Sequence, residues 1–198
     1  MRNTSSPSRF AAALFLAATM TAPALAAPFD EITRSSDDAL ASFESVYIAP
    51  VQLDLPEDTR RTVRDIRSPR PVTEQDQTRR AERLQRDLTR AFGNNFELVD
   101  APGENVLTVE TTLTGLRSTR PTLADQVAEV QLDFGSTIYA GGADYAVRLS
   151  EADTVLVEIE ESDKSNLNDG RPRVGTWQDA DRSSRLFSSR LARYVRDN

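Results

Sequence analysis

Residues 45 to 55 read SVYIAPVQLDL and form the most strand-like run of the chain. Val46 and Ile48 point to one side of an extended backbone and Tyr47 to the other, and all three are good strand formers. The run is far too short to span a bilayer. Apolar residues on both faces would make an exposed edge strand prone to aggregation. The stretch therefore predicts a core strand whose paired region ends near Pro50, which has no backbone N–H to donate.

Two stretches further along have the apolar periodicity of amphipathic helices. The first begins after Thr73, a residue that can cap a helix, has Asp76 in its acidic first turn and ends at Gly93. The second begins near Thr176 and carries an apolar stripe on one side and arginines on the other. Each predicted helix therefore has a single apolar face that can pack on a sheet.

The remaining regular patterns indicate strands. Residues 96–99 form a short strand, and residues 106–117 alternate between an apolar and a polar face. Residues 143–162 predict a hairpin closed by a four-residue connection at residues 150–153. Residues 118–142 fit either a short helix or a strand. This order predicts an α+β fold, a two-layer sandwich with two helices packed on one face of a mainly antiparallel sheet.

The first 26 residues have the order of a secretory signal peptide. Arg2 and Arg9 precede a short apolar run, and the segment closes on small residues at Ala24 and Ala26. The apolar run is shorter than the roughly 20 residues that a transmembrane helix needs. We therefore expect export to the periplasm with cleavage after Ala26. The mature chain is then expected to hold a loosely held N-terminal arm at residues 27–43 and one α+β domain at residues 44–198.

The chain contains no cysteine and no histidine. Without cysteine, we expect neither a lipid anchor on the mature chain nor a disulfide. The usual general base, thiol nucleophile and transition-metal ligands are also missing, so the sequence predicts no cofactor and no metal site. The net charge of −7 argues against nucleic acid as a partner. The sequence makes no prediction of the oligomeric state.

Carboxylates are the chemical groups left for catalysis, because glycoside hydrolysis needs only two acids. Glu158, Glu160 and Glu161 are candidates by residue type for such a carboxylate-only hydrolase. Glu158 and Glu160 have the spacing of one strand face, which favours solvated side chains over an active site.

Three further motifs fail as sites. The string Ser162 to Ser165 around Lys164 lacks the S-x-x-K spacing. Residues 166–170 do not fit a calcium-binding EF-hand loop. Gly141-Gly142 is not a nucleotide-binding fingerprint and predicts a tight turn into the next strand. We therefore predict no catalytic, cofactor-binding or metal-binding residues.

Arginine is concentrated in one part of this acidic chain. Residues 57–90 hold ten arginines and seven acidic residues. Local pairing explains part of this pattern, since Glu82 and Arg86 lie at i,i+4 in the favourable order. The alternative is a docking surface for an anionic partner in the cell envelope. Its residues would be Arg60, Arg61, Arg64, Arg67 and Arg70.

Several short strings occur in the order typical of one protein family. They are VYIAPV at 46–51, DAPG at 100–103 before VLTV at 106–109, RPTLAD at 120–125, GGA at 141–143 and WQDA at 177–180. Together they resemble DUF3313, a family of bacterial exported proteins, often lipoproteins, with a domain of unknown function. The resemblance covers about residues 44 to 195. It implies no catalytic residues, and this chain departs from the family in lacking the cysteine that would imply a membrane anchor.

These observations predict a soluble periplasmic module that acts by binding, as a non-catalytic accessory of an envelope protein complex. The polar face of the sheet or the basic connection would be the contact. The alternatives are a binding protein for an envelope glycan or lipid, and a carboxylate-only hydrolase. A flat surface would favour the first reading, a broad groove with exposed aromatic residues the second, and a deep pocket around two acids with raised pKa values the third.

Overall fold

A computed structural model describes residues 29–35, 39–56, 72–119, 141–163 and 174–198 of the chain. Several predictions fall outside these described residues. They concern the signal peptide, Lys164, the string 166–170, most of the ambiguous segment 118–142, and the candidate docking arginines Arg60, Arg61, Arg64, Arg67 and Arg70.

The strands of the described residues form one mixed sheet. They are β1 (Glu31–Arg34), β2 (Ser45–Ile48), β3 (Gln52–Leu53), β4 (Glu97–Val99), β5 (Val106–Arg117), β6 (Gly142–Glu151) and β7 (Thr154–Ser162). Their order across the sheet is β1-β7-β6-β5-β2-β4, and β3 pairs with β5 beyond the end of β2. The long neighbours β5, β6 and β7 are antiparallel, as is β1 on β7, whereas β2, β3 and β4 join by parallel pairing.

Two helices, α1 (Glu74–Gly93) and α2 (Gln178–Asp197), cover one face of this sheet. The predicted cap of α1 is confirmed as a capping box. Thr73 Oγ1 accepts a hydrogen bond from the Asp76 backbone N–H at 3.1 Å, and the Asp76 carboxylate accepts one from the Thr73 N–H at 3.2 Å. Within the described ranges, neither helix is long and apolar enough to cross a membrane.

The hydrophobic core lies between the helices and the sheet. Leu88 and Phe92 of α1 and Leu191 of α2 are almost completely buried there, as are Leu107 and Val109 of β5. The predicted apolar stripes of both helices and the alternation of β5 therefore face this layer. The expectation of a two-layer α+β sandwich with a mainly antiparallel sheet is confirmed.

The stretch 45–55 contributes a core strand, as predicted. β2 lies between β5 and β4, and its Val46 is fully buried. Pairing continues through the Ala49 N–H, which donates to the Val109 carbonyl at 3.0 Å, and then stops at Pro50. The Val51 N–H donates to the side-chain oxygen of Gln85 on α1 at 2.9 Å. Pro50 therefore separates β2 from β3, and the residue after it contacts α1.

The N-terminal segment differs from the loosely held arm expected for residues 27–43. Residues 31–34 pair with β7 as an edge strand. Phe29 is buried and meets Phe187 and Tyr194 of α2 edge-on, with ring centroids 6.0 and 5.6 Å apart. Leu40 is also buried. A few apolar anchors in a polar stretch thus dock the segment, a tertiary effect that no local pattern shows.

The hairpin β6–β7 is confirmed, but its predicted four-residue connection is wrong. β6 continues to Glu151, which pairs with Thr154, so Ala152 and Asp153 alone make the turn. Ala152 has a φ of 47°, the left-handed conformation that a tight two-residue turn requires. A register shift beside the turn places Leu156 in the core, where it is 1% exposed.

Candidate functional site

The two helices lie side by side and point in the same direction. At their N-terminal ends, Trp177 Nε1 donates to Asp76 Oδ1 at 3.1 Å. About three turns further along α1 and two turns along α2, Ser184 Oγ donates to Asp87 Oδ2 at 2.9 Å. Both contacts join residues about 100 positions apart in the sequence, so the helix pair is built by tertiary packing.

A cleft of about 650 Å³ opens between the N-terminal halves of the helices. Its walls carry four arginines but only two carboxylates. The arginines are Arg79, Arg80 and Arg83 of α1 and Arg185 of α2, and the carboxylates belong to Asp76 and Asp181. An excess of positive charge in a concave site attracts anions, here on a protein whose net charge is −7.

Two of the cleft arginines are held by ion pairs. Arg80 pairs with Asp181 across the two helices, and these side chains are only 19% and 27% exposed. Arg83 Nε lies 3.2 Å from the nearly buried carboxylate of Asp87. The Arg80–Asp181 pair joins the two helices, whereas Arg83 is held within α1, so both side chains have fixed positions in the cleft. The Nε of Arg80 is buried without a hydrogen-bond partner.

The other two cleft arginines stand at the surface. Arg79 and Arg185 are exposed, and neither has an ion-pair partner among the residues that the structure describes. A guanidinium group offers a planar fork of donors that matches a carboxylate or phosphate. Arg79 and Arg185, one on each helix, are therefore the groups most available to an anionic ligand.

The carboxylates of the cleft are already engaged. Asp76 Oδ2 accepts a bond from the Thr73 hydroxyl at 2.7 Å, and its Oδ1 accepts the Trp177 indole N–H. Asp181 is held by Arg80. The acids thus fix the geometry of the cleft and leave the positive charge of its rim uncompensated.

The arginine surface continues along both helices on the side away from the sheet. The residues are Arg79, Arg83, Arg86 and Arg90 on α1, and Arg182, Arg185, Arg193 and Arg196 on α2. At 100° per residue, each set forms one stripe, centred opposite the buried Leu88 or Leu191. We call these eight residues the arginine face.

The two layers of the molecule carry opposite charge. The two helices contain ten arginines and seven acidic residues. The strands contain three arginines and eight acidic residues. The helix layer is therefore basic and the sheet acidic.

A comparison with known protein families identifies the family of this chain. The DUF3313 family, described as proteins of unknown function, matches residues 31–191. The chain belongs to this family. The comparisons with curated proteins and with solved structures gave no match. The DUF3313 match starts at β1, includes the whole cleft and ends within α2, so the cleft is part of the region shared with the family.

The three carboxylates proposed from the sequence do not share one cavity in this DUF3313 protein, since Glu158 and Glu160 line one cavity and Glu160 and Glu161 line another. Glu158 and Glu160 are exposed, and Glu158 pairs with Arg148 on the neighbouring strand at 3.3 Å. Glu161 points to the other side of the sheet, where it binds Arg190 of α2 at 2.6 Å. Within the described ranges, no cluster of three or more acidic side chains is arranged to hold a metal ion.

A second polar cluster, which sequence reasoning missed, lies where β5, β6 and β7 end near α2. Arg117 binds the Asp144 carboxylate with two hydrogen bonds of 2.6 and 2.7 Å, and Ser162 Oγ adds a third at 2.8 Å. The bond to Asp144 raises the pKa of Arg117. Burial alone would raise the pKa of Asp144, but the bonds from Arg117 and Ser162 outweigh it and lower that pKa. Asp144 is therefore an ionised partner of Arg117.

One carboxyl in this region has a raised pKa. Burial raises the pKa of Asp163, and a hydrogen bond with Ser183 offsets part of this effect. The cavity of about 420 Å³ that Asp163 lines does not include Asp144. Asp144 lines a separate cavity of about 370 Å³.

Gly141 and Gly142 allow close packing beside this cluster. They belong to the string GGA, one of the strings that resemble DUF3313. A Cβ on Gly141 would lie 2.8 Å from the Thr119 backbone nitrogen, and one on Gly142 would lie 2.9 Å from the Asp163 carbonyl oxygen. Gly142 is also the first residue of β6. The pair thus allows close backbone contact at the start of a strand.

Proposed function

We propose that the chain is an exported, non-catalytic binding protein of the cell envelope, and that it holds an anionic partner in the cleft between α1 and α2. The observation that carries the proposal is the pair Arg79 and Arg185, exposed on facing helices without ion-pair partners among the described residues. The predicted signal peptide supports the location.

The chemistry of the cleft supports binding. Arginine stays protonated at any physiological pH, so the cleft arginines supply positive charge and hydrogen bonds without exchanging protons. The two acids beside them, Asp76 and Asp181, are engaged by neighbouring side chains. The site is therefore suited to hold a charged partner.

An anionic partner fits better than a neutral glycan or a lipid tail. Sugars stack on exposed aromatic rings, and lipid tails need an apolar channel. Among the described residues, the exposed large hydrophobic side chains are Leu53, Leu98, Val174 and Leu186. None of these is aromatic, and none lines the cleft. Trp177, which does line it, is partly buried with its N–H bound to Asp76.

Location and binding are tested separately. Fractionation of the native host followed by N-terminal sequencing should recover the protein in the periplasm, beginning at Ala27. An uncleaved cytoplasmic protein would contradict the exported role.

For binding, a photo-crosslinking amino acid is placed at Gln75 in the cleft or at Glu158 on the sheet, in living cells. We expect an adduct from position 75 that disappears when Arg79→Glu and Arg185→Glu are combined and persists with Arg148→Ala. Adducts that form equally from both positions, or that survive the charge reversal, would contradict a binding role for the cleft.

A further inference from the structure

We infer that the partner is an acidic, extended segment of another protein, which lies along the arginine face from the cleft toward the C-terminal ends of the helices. This inference rests on the proposed function and narrows it to one kind of ligand.

The first argument is the length of the unpaired surface. Four exposed arginines of the helices have no ion-pair partner among the described residues: Arg79, Arg90, Arg185 and Arg193. Arg79 and Arg90 lie on the same stripe, about 16 Å apart at 1.5 Å per residue. A compact anion such as phosphate cannot contact both ends of this surface. An extended peptide covers the distance with about five residues at 3.3 Å each.

The second argument is the spacing of the charges. Successive arginines of the α1 stripe are three or four residues apart, which places them about 4.5–6 Å from one another along the axis. Side chains on one face of an extended peptide repeat every second residue, about 6.6 Å apart. Acidic residues at alternate positions would therefore meet successive arginines, and those at the two ends would accept from Arg79 and Arg90, which have no ion-pair partner among the described residues.

The third argument concerns the shape of the partner. The sheet layer of this protein is acidic. Within a Debye length of about 10 Å, its negative potential weakens the positive potential of the helices. A single narrow segment contacts the helix layer alone, where the arginines lie.

The test uses the purified chain and fluorescein-labelled peptides of about ten residues. One peptide has glutamate at every second position, and its control has the same composition with the glutamates consecutive. Fluorescence anisotropy at low ionic strength should show saturable binding of the alternating peptide and weaker binding of the control. Arg79→Ala, Arg90→Ala, Arg185→Ala and Arg193→Ala should each raise Kd by about two- to tenfold. Arg148→Ala on the sheet is the matched control and should leave Kd unchanged.

Each other outcome has a separate meaning. Dependence on Arg79 and Arg185 alone, with competition by inorganic phosphate, would overturn the extended segment but leave an anion-binding cleft. Binding to phosphatidylglycerol vesicles in place of the peptide would overturn the protein partner. Self-association in sedimentation experiments that Arg79→Glu abolishes would identify a second copy as the partner and also overturn it. Peptide binding that none of the four substitutions weakens would overturn this inference and the proposed cleft function together. Because all four side chains are exposed and have no ion-pair partner in the described part of the chain, circular dichroism should show unchanged folding in every variant.

Discussion

Gly115 lies within β5 at a register shift and leaves the space that the Asp144 carboxylate occupies. A Cβ added at Gly115 would lie 2.8 Å from Asp144 Cγ and 3.0 Å from its Cβ, and closer still to Oδ2. Atoms at these distances overlap, so one side must move. We predict that Gly115→Ala displaces the Asp144 side chain and breaks its ion pair with Arg117.

The size of the effect follows from the three hydrogen bonds that Asp144 would lose. Two come from Arg117 and one from Ser162. The side chains of Arg117 and Asp144 are 40% and 23% exposed. Since solvent compensates part of the loss, we assign about 1 kcal/mol to each bond. Alanine has less conformational freedom than glycine in the unfolded chain, which stabilises the folded state by about 0.4–1 kcal/mol. The free energy of unfolding should therefore fall by about 2 kcal/mol in total.

Urea unfolding of the purified chain measures this loss. At an m value of about 2 kcal/mol/M, the midpoint should fall by about 1 M while m stays constant. Gly103→Ala is the matched control, because the nearest heavy atom to its added Cβ is Val106 Cγ2 at 3.7 Å. That control should be neutral or stabilised by up to about 1 kcal/mol.

A double-mutant cycle decides whether the ion pair is the cause. In an Asp144→Ala background the carboxylate is gone, so Gly115→Ala should cost much less than in the wild type. If the cost were the same in both backgrounds, strain in the backbone of β5 would be the cause, and the reasoning from Asp144 would be refuted.

Three further predictions concern the helices and the titration of the fold. Thr73→Ala removes the capping box of α1 and should lower the free energy of unfolding by about 0.5–2 kcal/mol, as measured by thermal denaturation. Phe187→Ala removes a ring stacked on Tyr145 at 4.2 Å and should cost about 3–5 kcal/mol in urea, whereas Leu186→Ala, at 54% exposure, should change stability by less than about 0.5 kcal/mol. Because burial raises the pKa of Asp163, the stability from its protonated form is present below about pH 4 and is lost as the pH rises through the raised pKa. Asp163→Asn should therefore gain stability relative to the wild type as the pH rises above about 4, and a difference that does not change with pH would contradict this.

The elements that could be predicted from the sequence are those with local signals. The start of α1 follows from Thr73 and Asp76, which are three residues apart and form the cap between themselves. β5 has the predicted bounds. Alternation over twelve residues determines which side chains face the core and which face the other side of the sheet. The predicted hairpin turn was too long. Ala152 adopts a left-handed conformation that alanine rarely takes, so its residue type does not predict the shorter turn.

The candidate site depends on contacts that no local pattern contains. The cleft exists because α1 and α2 pack in parallel, and the ion pair Arg80–Asp181 joins residues 101 positions apart. The sequence shows that arginine is enriched in residues 57–90, but ion pairs within and between the helices decide which arginines have no ion-pair partner among the described residues. One signal was available, since Arg79 and Arg90 lie on the same face of a helix at eleven-residue spacing. A glycine inside a strand, such as Gly115, likewise indicates that another group packs closely against the backbone. The sequence does not show which residue supplies that group.

Among the described residues, the basic helix layer and the acidic sheet separate charge along a direction roughly perpendicular to the sheet. In the field of an acidic partner, this separation of charge turns the helix layer toward the partner before contact, so a larger share of collisions is productive. The gain affects the association rate more than the lifetime of the complex. It also decreases with added salt, because at 0.1 M ionic strength the field extends only about 10 Å. For the proposed acidic partner, we therefore expect the kinetics of encounter to depend on the separation of charge between the two layers that enclose the core.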